Sequence, residues 1–110
     1  MSLARLNRLF ATPSGRVLDV AVDHGFFGET NFLPGIESMP RAVGVLVDAM
    51  PDAIQLTAGS ARYLQDVSGR AKPMLIMRTD IANIYGNPID EHLFSHHLPH
   101  AIEEAVRLDA

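Results

Sequence analysis

A chain of 110 residues with 47% hydrophobic and 20% charged residues has the composition of an ordinary globular protein, which excludes a disordered or fibrous class. A formal net charge of -4 without a run of Lys and Arg argues against a nucleic-acid partner, because neutralising phosphates takes clustered cations. Cysteine is absent, which removes disulfides, thiolate metal sites and a Cys nucleophile and agrees with a cytoplasmic location, and no apolar stretch approaches the roughly 20 residues of a membrane span.

Leu3, Leu6 and Phe10 recur at helical spacing with Arg5 and Arg8 between them, so the spacing predicts a leading amphipathic helix, stopped by Pro13-Ser14-Gly15. It lacks the apolar core of a signal peptide. Residues 17–23 then read as a strand. By the period-two rule Leu18, Val20 and Val22 share one face, and Val17, Asp19, Ala21 and Asp23 share the other. One face is aliphatic and the other is mostly small or acidic. A strand with helices outside and a barrel lumen inside has this pattern, and Asp23 stands at its carboxyl end, where α/β proteins place their chemistry. Gly25, Gly28, Pro34 and Gly35 make the next segment a loop, the first two allowing close backbone turns. A helix begins near Ser38, a capping residue, with Pro40 in its first turn. Its buried stripe is Met39, Ala42, Val43, Leu46, Val47 and Met50, and Pro51 ends it.

The second strand, 53–57, repeats the first: Ile54 and Leu56 are apolar on one face, while Ala53, Gln55 and Thr57 are small or polar on the other. A short helix is expected from Ser60 to about Val67. Residues 73–77 form a third buried strand ending in Arg78-Thr79-Asp80. Residues 81–98 are expected to be a long connection broken by Gly86-Asn87-Pro88, with a single helical turn near Asp90 to Phe94. Pro99 opens a last helix with Ala101, Ile102, Ala105, Val106 and Leu108 on one broad apolar face. Met39, Met50, Met74 and Met77 take core-facing positions.

The order is a helix followed by three strand-helix units, each strand ending in polar residues. Such alternation means a parallel sheet with right-handed crossovers. The expected fold class is α/β, a (β/α)8 TIM barrel. A closed barrel takes about 250 residues, so residues 1–110 are expected to be the amino-terminal portion of a single barrel domain.

At Val20-Ala21-Val22-Asp23-His24-Gly25 the chain resembles the archaeal-type class I fructose-bisphosphate aldolase family, a relative of the deoxyribose-phosphate and tagatose-bisphosphate aldolases. The resemblance extends through the leading Arg5-Leu6-Asn7-Arg8-Leu9-Phe10 helix. It continues in the strands written Asp52-Ala53-Ile54-Gln55-Leu56-Thr57-Ala58-Gly59 and Lys72-Pro73-Met74-Leu75-Ile76-Met77-Arg78, and in the Ile102-Glu103-Glu104-Ala105-Val106-Arg107-Leu108 helix. It implies a lyase that needs no metal and no cofactor, with a Schiff-base lysine on the sixth barrel strand and the substrate phosphate in the seventh and eighth loops, all beyond Ala110. Asp23 matches the family's aspartate at the end of the first strand, which implies a catalytic place beside the iminium. His24 is expected to contact substrate or to order its loop. Thr57 and Arg78 are expected to line the mouth as substrate-binding residues, since barrel strands deliver their last residues there. Parity leaves open whether Arg78 or Thr79 points inward. The implied partners are a phosphorylated sugar or related keto substrate and further copies of the protein.

Two residues stand apart from this pattern. Lys72, the chain's only lysine, precedes the third strand, about 20 Å from Arg78 at ~3.3 Å per residue, and is expected to be solvated at the barrel bottom. Asp19 occupies a position where the family more usually has an aliphatic residue. If it points inward, it is desolvated and must meet a cation or take up a proton. His92 and His96, four apart, invite a metal reading together with His97 and His100. No Glu lies between the first pair and Pro99 interrupts the run, so a polar surface loop is expected. The alternatives to the aldolase are a metal-dependent barrel lyase or hydrolase using Asp23, His24 and these histidines, and a non-catalytic half-barrel that associates to cover its edges.

Overall fold

A computed structural model describes residues 3–23, 33–69, 71–82 and 95–110. Three short strands form a parallel sheet: β1 (Asp19–Ala21), β2 (Ala53–Leu56) and β3 (Met74–Met77), with β2 in the centre. The register aligns Val20, Ile54 and Leu75 in one row, and Ala21, Gln55 and Ile76 in the next. Alternation therefore gives the whole sheet two unlike faces. Val20, Val22, Ile54, Leu56, Leu75 and Met77 lie on the apolar face. They pack with Val43 and Leu64 from the helices on that side, and with Ala61 and Leu108. Ile54 and Leu56 are wholly excluded from solvent.

The first strand is shorter than the 17–23 expected. The ladder covers Asp19–Ala21, with Val22 N–H donating to Gln55 O at 3.1 Å and Ala53 N–H to Leu18 O at 3.1 Å as single extensions. Leu18, expected on the covered face, is 61% exposed, because it precedes the part of the sheet that the helices reach.

Helix α2 (Met39–Ala49) runs nearly as the spacing predicts. Ser38 stands at its N-cap position, but its side chain makes no capping bond, and Pro occupies the first turn. Met50 closes the helix in a left-handed conformation, φ 52°, with its N–H on Leu46 O and Val47 O. That geometry turns its side chain away from the stripe and leaves it half exposed, whereas Met39, Leu46 and Val47 pack on the core. Helix α3 (Arg62–Gln65) is a single turn, shorter than the 60–67 expected. The preceding residues enter it through a tight turn in which Ser60 and Ala61 N–H both donate to Thr57 O.

The connection after β3 differs from the sequence expectation. Residues Asp80–Ala82 (β4) and Ser95–His97 (β5) pair antiparallel, with Asp80 opposite His97 and Ile81 opposite His96. His96 and His97 thus belong to a strand and not to a loop. The helical turn expected near Asp90 to Phe94 lies outside the described residues.

The last helix, α4 (Ala101–Arg107), follows His100 at φ 55°, so Pro99 precedes it and does not open it. Ala101, Ala105 and Leu108 pack on the core, but Ile102 and Val106 are 79% and 62% exposed. The leading helix α1 (Leu3–Leu9) has no buried residue; Arg5 fastens it by an ion pair to Asp109 and a 3.1 Å bond to Ala110 O. Among the described residues no helix is long and apolar enough to cross a membrane.

Candidate functional site

The polar face of the sheet presents Asp19, Ala21, Ala53, Gln55, Met74 and Ile76 by register. Arg78 N–H donates to Leu56 O at 2.9 Å, which carries the ladder past β3. Two residues beyond the second row, the same alternation sets Asp23, Thr57 and Arg78 side by side at the carboxyl ends of the three strands.

Asp23 is only 3% exposed. A buried carboxylate needs donors, and two strands supply them. Its Oδ2 accepts Nε2–H of Gln55 at 3.0 Å and Nη1–H of Arg78 at 2.9 Å. Arg78 is held from its other side by Asp80, with Nε donating to Oδ1 at 2.9 Å and Nη2 to Oδ2 at 3.3 Å. Burial is the largest influence on this guanidinium and works against its charge. The bonds to Asp23 and Asp80 and the charges of both carboxylates more than offset it, so the pKa is raised and Arg78 stays cationic. The cluster links all three strands of the sheet to β4.

The expected site residues divide as follows. Asp23 and Arg78 come together, and the inward-pointing residue at the end of β3 is Arg78, which pairs with the carboxylate. Thr57 lies in the same row, but its Oγ1 accepts Ser60 N–H at 3.3 Å, so its hydroxyl orders the turn into α3. His24 lies outside the described residues. Sequence reasoning passed over Gln55 and Asp80. The available signal for Gln55 was an amide at an inward position of a buried central strand, a place where an unpartnered polar group is expensive.

Lys72, expected to be solvated, is half-buried and bonded to backbone. Its Nζ donates to Leu64 O at 3.2 Å, Gln65 O at 3.3 Å and Val67 O at 2.9 Å, closing the carbonyl end of α3. It stands at the amino end of β3, the opposite end of the sheet from Arg78. A cleft of about 690 Å³ lies at that end, bounded by Arg5, Arg8, Gln65, Lys72 and Asp109. It shares no residue with the Asp23 cluster, and a buried ion pair at converging strand ends is the stronger mark of a site than an open groove.

Asp19 sits on the same face as Asp23, on the open side of the sheet, and no ion pair reaches it among the described residues. Its carboxyl is pushed up from its ordinary value of 3.8, first by burial and second by the charge of Asp23. A raised carboxyl means that the folded chain binds this proton more tightly than the unfolded chain. Ionised Asp19 therefore weakens the fold at neutral pH. The penalty fades as pH falls through the raised value and is gone below the ordinary one. Asp19→Asn is accordingly expected to raise the denaturation midpoint of the chain at pH 7 and to leave it unchanged at about pH 3. Equal midpoints at both pH values would contradict this.

No group of three or more His, Asp or Glu able to hold a metal occurs among the described residues, and His92 lies outside them. His100 Nδ1 lies 3.8 Å from Glu103 Oε1 on the exposed start of α4. No family model, curated protein or solved structure matches the chain.

Proposed function

We propose that the chain is the amino-terminal part of a class I, metal-independent aldolase that cleaves or forms a carbon-carbon bond in a phosphorylated sugar or related keto compound. In this reading it is three units of a TIM barrel in a cytoplasmic homo-oligomer, with the Schiff-base lysine supplied from outside these 110 residues. The observation that carries the reading is Asp23, buried at the carboxyl end of its strand and held by donors from the other two strands of the sheet. Parallel strands with a helix-covered apolar face and a polar face ending in an ionised cluster support it further.

The chemistry follows from carbonyl reactivity. A neutral lysine amine attacks the ketone carbon, water leaves, and the resulting iminium accepts the electron pair of the breaking carbon-carbon bond. A group beside it must take the proton from the hydroxyl that becomes the aldehyde, and other hydroxyls must be held in line. Asp23 accepts from substrate hydroxyls at that place. Thr57 ends the neighbouring strand in the same row. The test is cleavage of fructose 1,6-bisphosphate that persists in chelator and is stopped by borohydride. Loss of activity with chelator alone would transfer the site to the metal-dependent class.

The half-barrel reading draws on two observations: α1 has no buried residue, and β1 and β3 are each paired on one side only among the described residues. Parallel strands are stable when both faces are covered. The 110-residue chain alone is expected to sediment as dimers or larger species at micromolar concentration. A monomer with a sharp cooperative melting transition would show that the sheet's polar face is self-sufficient.

A further inference from the structure

We propose that Gln55 and Arg78 are positioning residues that clamp Asp23 by one oxygen and present the other to a ligand hydroxyl. Both donors converge on Oδ2, at 3.0 and 2.9 Å. Among the described residues none donates to Oδ1, although the residue is 97% removed from solvent by its 3% exposure. Buried carboxylate oxygens are normally satisfied, so this acceptor is a place where a ligand donor fits. The two clamps differ in kind. Arg78 brings charge and cannot swing away, because Asp80 grips Nε and Nη2 on its far side. Gln55 brings a neutral amide from the central strand, two register positions before Asp23. A carboxylate only accepts, so the amide must turn its NH2 toward Asp23. Together the two donors fix the plane of the carboxylate, and neither needs to touch the ligand. Arg78 therefore passes from an expected substrate contact to a residue that acts through Asp23. The clamp stands on geometry alone; the identity of the incoming donor, a hydroxyl of the sugar substrate, rests on the aldolase reading.

The experiment has two arms. In NMR of the 110-residue chain, the Gln55 side-chain amide protons are expected to lie away from their free positions and to return there in Asp23→Ala. An amide spectrum indifferent to that change would overturn the clamp whatever the protein catalyses. In the intact enzyme with fructose 1,6-bisphosphate, Gln55→Leu is expected to lower kcat about tenfold with KM within about twofold, since orientation is lost and binding is not. Gln55→Glu, of the same shape but with an acceptor in place of the donor, is expected to lower kcat further. If Gln55→Leu fails to fold, Gln55→Met gives the same comparison. A rise in KM at constant kcat, or Gln55→Glu as active as wild type, would overturn the positioning role. Wild-type enzyme without any aldolase activity would instead sink the aldolase reading and leave the NMR arm to decide the clamp.

Discussion

Replacing Asp23 by Asn in the intact enzyme is expected to lower turnover by about two to four orders of magnitude, the span that a placed proton-transfer group contributes. The loss in stability should be far smaller, about 1 kcal/mol, the worth of one altered hydrogen bond. The asymmetry has a structural cause. Removing one partner of a buried ion pair is ordinarily severe because it strands the other charge, but Arg78 keeps its bonds to Asp80 and is itself 19% exposed. Asparagine also retains an oxygen that can accept from Gln55 and Arg78. What it lacks is the charge and the ability to take a proton. Steady-state kinetics across pH beside denaturant unfolding would separate the two effects. A variant active across the pH range, or one that unfolds in parallel with its loss of rate, would remove Asp23 from the catalytic machinery.

The strands and the division of their faces were legible because a period of two is a strong constraint: Val20, Ile54 and Leu75 could not be turned outward without exposing the entire core row. The end of β3 was not legible. The sequence alone does not show that the ladder continues to Arg78 N–H, which keeps Arg78 in the parity of Ile76 and brings it to the carboxylate of Asp23, from a strand two positions away in the sheet. Gln55 hid for a related reason. A single polar residue in an apolar strand reads as an alternation mark until its partner is known.

At α4 the limit was different. Helical spacing gathered Ile102 and Val106 onto one face with Ala105, but periodicity reports which residues share a face and not whether anything covers it. The β4–β5 pair carries three residues per strand and two adjacent histidines, too short and too polar to show alternation. Lys72 looked like an exposed strand-leading residue because its three carbonyl partners come from a turn several residues earlier in the chain.

The aldolase reading requires an amine that can lose its proton and reach a ketone at the carboxyl ends of the strands. Lys72 is in the wrong place for this. Its Nζ is engaged by three carbonyls at the end of α3, and it lies at the far end of β3, about 20 Å from Arg78 by strand rise. The central claim is thus tested by treating the intact enzyme with borohydride in the presence of a ketose phosphate and mapping the adduct by mass spectrometry. The account predicts a reduced substrate adduct on a lysine outside these 110 residues, and none on the isolated chain. An adduct on Lys72 would contradict the placement of the site, and no adduct together with chelator-sensitive activity would contradict Schiff-base chemistry itself.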